Sequence, residues 1–234
     1  MAPATDDSRT LTPVQSHKTP VVCVFCGASN GNDPIHLDAA RSLAREFHRN
    51  GVKLVYGGGT VGVMGELAQT LVSLSGPDAV HGIIPRALLR YERNYVETGG
   101  EVDPQSLIDE NVYGRMTVVE DMHHRKHLMA KEVIEGGAGS GFVALTGGYG
   151  TLEELMENVT WNQLGIHARP VVVYNVAGFW DGLLQWVKTA VEAGFVQPSN
   201  AGIMAEATTS EEVMKTLTDY KIAEGRFKLR WGEK

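Results

Sequence analysis

The chain has 234 residues, 43% of them hydrophobic, with 27 glycines and a formal net charge of −7 at pH 7. That length permits one large domain or two small ones, and the apolar share supplies an ample core. The acidic balance argues against a nucleic-acid polymer as partner. No apolar run approaches the roughly 18 residues of a membrane span, so no membrane partner is expected.

Residues 1–20 are rich in Pro, Ser, Thr and Asp and lack an apolar segment. They read as a disordered leader without a secretory signal, which places the protein in the cytoplasm. Val21 to Phe25 reads as a strand ending in Gly27-Ala28-Ser29-Asn30. Asp33 caps the next helix, with Pro34 at its first position; the helix runs to about Asn50 and Gly51 stops it. Its inward residues are Leu37, Ala40, Ala44 and Phe47. The two cysteines, Cys23 and Cys26, are three apart in a strand and so face opposite sides. They are expected to be small core residues of a reduced protein rather than a redox pair.

Lys53 to Tyr56 forms the second strand and closes on Gly57-Gly58-Gly59-Thr60; a helix follows from about Met64 to Leu74. Val80 to Ile84 is the third strand. Arg90 to Gly114 is the least regular stretch, interrupted by Gly99-Gly100 and Pro104, and reads as a lid or insertion near the site. Thr117 to Val119 is a short fourth strand, followed by a helix over Met122 to Gly136. Phe142 to Leu145 is a buried strand, and Gly147, Gly148 and Gly150 turn the chain sharply. Thr151 stands where an N-cap belongs, with Leu152, Leu155, Met156 and Val159 at helical spacing up to Leu164-Gly165.

A sixth strand over Pro170 to Tyr174, a helix over Trp180 to Ala193, an edge strand over Ile203 to Ala207 and a helix over Ser210 to Tyr220 complete the chain. The tail after Lys221, with Arg226, Lys228 and Arg230, reads as a solvated end. Residues 21–220 are therefore expected to form one α/β domain between a leader and a 221–234 tail. Its parallel sheet of about seven strands is flanked by helices on both faces, with right-handed crossovers.

In such sheets ligands bind outside the carboxyl ends of the strands. Three of those ends carry small or glycine-rich turns: Gly27-Ala28-Ser29, Gly57 to Thr60, and Gly147 to Thr151. No G-x-G-x-x-G follows the first strand and no G-K-[ST] follows the glycines, so neither the dinucleotide fingerprint nor the P-loop applies. A helix opening on a glycine turn offers free N–H groups and a positive dipole end, which suits a phosphate. Glu154 is anomalous there, since a carboxylate repels that ligand. A Thr151-x-x-Glu154 capping box accounts for it on structural grounds alone and is compatible with a ligand-facing role.

Arg125 and Lys126 flank the inward stripe of Met122, Met129 and Val133, while His123, His124 and His127 fall on the other face. A cation in the first turn of a helix opposes the dipole and calls for an anionic partner. The alternative is a surface pair of Arg125 with Asp121 or Glu132. His123 and His127 have metal-ligand spacing but no third ligand, so no metal is expected.

Thr146-Gly147-Gly148-Tyr149-Gly150-Thr151-Leu152-Glu153-Glu154 resembles a P-G-G-x-G-T-x-x-E pattern, and Met122-His123-His124-Arg125-Lys126 resembles M-H-x-R-K. With Phe25 to Ser29, Tyr56 to Gly59 and Thr160 to His167, these segments resemble the "lonely guy" cytokinin riboside 5′-monophosphate phosphoribohydrolases, long labelled lysine decarboxylase-like. The resemblance covers about Val21 to Tyr220. It implies a Rossmann-like fold, a homodimer or an oligomer of dimers, and Arg125 and Glu154 as the catalytic pair. It also implies a nucleoside 5′-monophosphate substrate bound by Ser29, Gly58, Gly59, Glu92, Lys126, Gly147, Gly148, Tyr149, Gly150, Thr151, Glu153 and Thr160.

The chain departs from the pattern in two places. Thr146 replaces the Pro, which frees an N–H and adds a hydroxyl, and the stretch from Arg93 to Asn111 is longer than in plant members. The implied reaction is hydrolysis of the N-glycosidic bond, giving ribose 5-phosphate and an N6-substituted adenine. Glu154 would stabilise an oxocarbenium-like sugar and Arg125 would hold Glu154 ionised. No cofactor is expected: amino-acid decarboxylation needs a Schiff-base lysine, and no Lys here has such a setting. The alternatives are a general purine or pyrimidine monophosphate nucleosidase and a nucleotide or cofactor carrier without turnover.

Overall fold

The computed structural model describes residues 18–92, 108–229 and 231. Most of the leader, Gly99-Gly100, Pro104, most of the 93–111 stretch and Arg230 lie outside the described residues. Seven apolar runs of four to six residues become strands: Val21–Phe25 (β1), Lys53–Tyr56 (β2), Val80–Pro85 (β3), Arg115–Val119 (β4), Gly141–Ala144 (β5), Val171–Tyr174 (β6) and Met204–Ala207 (β7). All pair in parallel, in the order β4-β3-β2-β1-β5-β6-β7. This is the doubly wound, Rossmann-like arrangement, with helices on both faces.

Among the described residues seven α-helices accompany the strands, six between them and the last after β7: Ile35–Arg49 (α1), Gly62–Ser75 (α2), Glu110–Tyr113 (α3), Met122–Glu135 (α4), Tyr149–Gln163 (α5), Asp181–Glu192 (α6) and Ser210–Asp219 (α7). Leu43 and Phe47 of α1, Leu67 and Leu71 of α2, Tyr113 of α3 and Leu217 of α7 bury against one face of the sheet. Met129 and Val133 of α4 and Leu155 of α5 bury against the other, with Leu183 and Val187 of α6 packed partly on it. The crossover helices change face between β4 and β5. The chain therefore winds one way from β1 and the other way from β5, and the loops after these two neighbouring strands part to leave a crevice at their carboxyl ends. Cys23 and Cys26 are free and buried in opposite layers, as their spacing predicts.

Element bounds agree with the sequence reading to within a few residues, and the differences have physical causes. Asp33 accepts the N–H of Ile35 at 2.9 Å, so the acidic cap is real, with Pro34 helical behind it. The irregular Arg90 to Gly114 region contains ordered pieces: residues Arg86–Tyr91 form a 3-10 turn, and Asp109 caps the short α3 by accepting the N–H of Asn111. The tail is not wholly a solvated end. Arg226 donates through Nε to the carbonyl of Asn162 at 2.6 Å and through Nη2 to that of His167, and the N–H of Phe227 donates to Gln163 at 2.8 Å. A cation on carbonyls at and just beyond the end of α5 answers the negative end of its dipole.

His167, just beyond α5, is buried against Phe142, with ring centroids 5.0 Å apart. Its Nδ1 accepts the N–H of Arg169 at 3.1 Å, and its Nε2 lies 3.0 Å from the carbonyl of Asn158, which leaves the neutral ring fully used. Burial holds its pKa down to about 4. Because the folded value lies below the unfolded 6.5, its stabilisation is complete above pH 6.5 and is lost as pH falls toward 4. The loss approaches about 1.4 kcal/mol per pH unit within that window. Chemical denaturation at pH 7, 6, 5 and 4 is expected to show this fall, and His167→Gln is expected to flatten it. An equal slope in the variant would remove His167 as the cause.

Candidate active site

Three loops from the carboxyl ends of β1, β2 and β5 meet at the crevice. The N–H of Gly27, after β1, donates to the carbonyl of Thr146 at 3.0 Å, and the N–H of Met64 donates to the carbonyl of Gly27 at 3.1 Å. Gly147 has no room for a side chain: a Cβ there would overlap Thr151 Oγ1 and lie 2.9 Å from the nitrogen of Gly27. At Gly148 and Gly150, by contrast, a Cβ would meet nothing within 4 Å. The glycine turn is thus closed on its scaffold side and open on its cavity side.

The helix α5 begins at Tyr149 with Gly148 as N-cap, three residues before the expected cap at Thr151. Thr151 therefore lies inside the first turn and does not cap the helix, and the capping box with Glu154 is not formed. The extended backbone of Gly148 enters the helix directly, so the N–H groups of Tyr149, Gly150 and Thr151 have no partner within it. They are available to an anion.

Glu154, one turn further, points inward and is 6% exposed. Arg125 is 8% exposed and comes from the first turn of α4, whose N-terminus Asp121 caps by accepting the N–H of His124 at 2.8 Å. Nη2 of Arg125 lies 3.4 Å from Oε1 of Glu154. The surface pairing of Arg125 with Asp121 or Glu132 does not occur; Glu132 instead meets His81 at 2.6 Å. Burial raises the carboxyl pKa of Glu154, and the charge of Arg125 works against that rise without cancelling it. Desolvation dominates because the pair has few other polar neighbours: Oε1 of Glu154 and Nε of Arg125 make no hydrogen bond among the described residues. The thiol of Cys26, at the floor of the same cavity, is pushed up by burial and by Glu154, so it is not a nucleophile.

The cavity has a volume of about 520 Å³, enough for a nucleotide-sized ligand. Its walls include Ser29, Arg125, Gly147, Gly148, Gly150, Thr151, Glu153 and Glu154 from the expected set. They also include His36, Met64, Met122 and Phe179, for which the sequence carried no assignment. His36 has a signal in retrospect: it lies in the first helical turn after β1, at the end of the sheet where ligands gather.

Lys126 stands beside the cavity, its Nζ 2.5 Å from Oε1 of Glu153 and 3.2 Å from Oε1 of Glu157. Tyr149 is 95% exposed and faces an adjoining apolar groove with Leu152, Trp180 and Trp186. The remaining expected residues are not in the lining. Gly58 and Gly59 sit under the β2 loop, Gly58 with φ +75° against Ile84 and Met116. Oε2 of Glu92 accepts the N–H and hydroxyl of Thr60 at 2.5 and 2.7 Å, which fastens this loop from behind. Thr160 is exposed on α5, nearly two turns beyond Glu154.

A buried carboxylate with a raised pKa must lose its proton before it can oppose a developing positive charge. Activity that depends on Glu154 is therefore expected to fall at acid pH with a midpoint above the ordinary 4.5. The acid limb should appear in kcat, which reports the bound complex, and be recorded where circular dichroism shows the fold intact. A kcat that is flat down to pH 4.5 would contradict the role.

The fold and the cavity define a Rossmann-like α/β protein with a nucleotide-sized site at its switch point. Residues 64–217 match the family model described as "Possible lysine decarboxylase". Over 219 residues the chain is 53% identical to a bifunctional cytokinin biosynthesis protein of Fusarium pseudograminearum; the match covers 94% of this chain and 44% of that protein. It is 44% identical over 198 residues to a probable cytokinin riboside 5′-monophosphate phosphoribohydrolase of Oryza sativa subsp. japonica, covering 85% of this chain and 83% of the relative. An Arabidopsis thaliana cytokinin riboside 5′-monophosphate phosphoribohydrolase is 41% identical over 199 residues, with the same coverages. The chain belongs to this phosphoribohydrolase family.

Among solved structures, the molybdenum cofactor carrier protein of Chlamydomonas reinhardtii superposes with a TM-score of 0.56 at 18% identity, over 86% of this chain and 96% of its own. That likeness bears on the fold alone. Among the described residues, no helix is long and apolar enough to cross a membrane.

Proposed function

We propose that this protein hydrolyses the N-glycosidic bond of cytokinin riboside 5′-monophosphates, releasing the free base and ribose 5-phosphate. Family membership sets the reaction class, an N-glycosyl hydrolase acting on nucleoside monophosphates. The observation that carries the site assignment is the buried Arg125–Glu154 pair facing the same cavity as the open glycine turn. The amides of Tyr149 to Thr151 take the 5′-phosphate at the positive end of α5. That anchors the sugar with its anomeric carbon toward Glu154.

As the bond to the base lengthens, its electron pair leaves with the base and positive charge grows on the sugar. The Glu154 carboxylate opposes that charge in a water-poor setting, where the interaction is strongest. Water then adds to the sugar carbon, and the proton it gives up passes to the ring nitrogen that the base has freed, leaving ribose 5-phosphate and the neutral base. Arg125 keeps Glu154 ionised and holds its orientation. A carrier of anionic ligands gains nothing from a buried carboxylate at this point, which disfavours the carrier reading. The protein is proposed to act in the cytoplasm, without a cofactor, as a homodimer or an oligomer of dimers.

The test is chromatography of isopentenyladenosine 5′-monophosphate, AMP and isopentenyladenosine after incubation with the purified protein. Release of isopentenyladenine from the first substrate alone is the expected result. Comparable release of adenine from AMP would make it a general nucleosidase, and no release from any of the three would overturn the proposal.

A further inference from the structure

Buried polar atoms in folded proteins are nearly always paired, so those that are not call for an explanation. Among the described residues, eight buried side-chain nitrogen or oxygen atoms make no hydrogen bond. Four of them belong to residues that line the nucleotide-sized cavity: Nε of Arg125, Oε1 of Glu154, Oγ1 of Thr146 and Nδ1 of His36. The first two belong to the reacting pair. The other two have no part in the mechanism given so far.

Thr146 is 5% exposed and precedes the glycine turn, its carbonyl committed to the N–H of Gly27. Its hydroxyl is a donor free to rotate toward a ligand. His36, on α1, lines the same cavity. Its ring is part-exposed at the edge while Nδ1 itself is buried. Two neighbours fix the ring: Phe179 meets it edge-on, with centroids 6.1 Å apart and planes at 75°, and the loop at Gly31 folds against it. With φ at +75°, Gly31 has a left-handed backbone, and a Cβ there would stand 2.8 Å from Cδ2 of His36. The ring is thus held in one orientation by groups that do not use its nitrogen.

We infer that Thr146 and His36 complete the anion site, Oγ1 and Nδ1–H donating to the phosphate of the substrate from two sides of the Gly148 to Thr151 turn. A phosphate has acceptors only, and backbone amides at one helix end reach only one side of it. Two side-chain donors on other elements would enclose it and discriminate the monophosphate from the nucleoside. This rests on the reading that the phosphate lies at that turn.

The test uses the full chain and calorimetric titration with ribose 5-phosphate and with ribose, so no turnover intervenes. Thr146→Val keeps the shape without the hydroxyl, and His36→Phe keeps the ring and its edge on Phe179 without the nitrogen. Each is expected to weaken ribose 5-phosphate about ten-fold or more, the scale of a lost hydrogen bond to a charged group. KM for the monophosphate should rise in parallel, with kcat changed only about three-fold or less. Thr146→Ser and His36→Asn, which restore a donor, are expected to recover most of the affinity. A merely structural role would give no such split or rescue. Unchanged ribose 5-phosphate affinity in both Thr146→Val and His36→Phe would overturn the inference while leaving the phosphate at the turn. A wild-type protein that binds ribose and ribose 5-phosphate alike would overturn both.

Discussion

Glu154→Gln is expected to lower kcat about a thousand-fold while leaving ribose 5-phosphate affinity within about three-fold of wild type, the range set by removing a preorganised electrostatic group. The amide keeps the size of the side chain and its place one turn into α5, so the glycine turn keeps its shape. What disappears is the negative charge that the transition state requires. The fold is expected to tolerate the change. Burial already raises the pKa of this carboxyl, so the ionised form is costly to hold in the native protein. Removing that cost offsets the loss of a partner for Arg125, whose contact is long for an ion pair at 3.4 Å. Product formation by chromatography, affinity by calorimetry and melting by circular dichroism separate the three effects. Wild-type turnover in a folded variant would remove Glu154 from the mechanism.

Gly57→Ala is expected to lower kcat/KM about ten- to hundred-fold although Gly57 is not among the residues lining the cavity, because small misplacements of a catalytic constellation carry losses of that order. The methyl group would overlap Nη2 of Arg125 and lie 3.0 Å from its Cζ. The guanidinium is the movable party: it sits at the end of a long side chain, whereas Gly57 is fixed at the end of β2. Arg125 must therefore withdraw from Glu154, and the carboxyl, relieved of its cation, should titrate still higher. The acid limb of kcat is expected to move to higher pH in this variant, which distinguishes a displaced arginine from general loosening. An unchanged pH profile with unchanged activity would show that Arg125 accommodates the methyl in place.

The layered fold was legible because strand and helix signals alternate without ambiguity. Runs such as Val171–Tyr174 are apolar throughout, as strands buried on both faces must be, and helix ends are marked by Asp33-Pro34 and Gly51. Arg125 and Glu154 were each legible as an anomaly, a cation at a helix start and a carboxylate beside an anion site, while their pairing came from the resemblance and their contact is seen only in the structure. Where the sequence reading erred, local pattern lost to tertiary geometry. Thr151-x-x-Glu154 satisfies the capping pattern, yet the helix starts at Tyr149 with Gly148 as its N-cap, and the hydroxyl of Thr151 lies against Gly147 instead of capping. Arg226 looked solvated because its partners, the carbonyls of Asn162 and His167, are some sixty positions away. His36 and Phe179 meet only in three dimensions, and no periodicity in either segment announces the contact.

The side of the sheet opposite the cavity offers two points at which the protein can be attached to other things. Near the start, the carbonyl of Thr19 accepts the N–H of Gly137, just before β5; near the end, Nε1 of Trp231 donates to the carbonyl of Leu164, just before β6. Both anchor points lie at the amino ends of the strands, the side of the sheet away from the cavity. A fluorophore or surface linkage placed at either anchor would therefore sit on the back of the sheet, opposite the cavity.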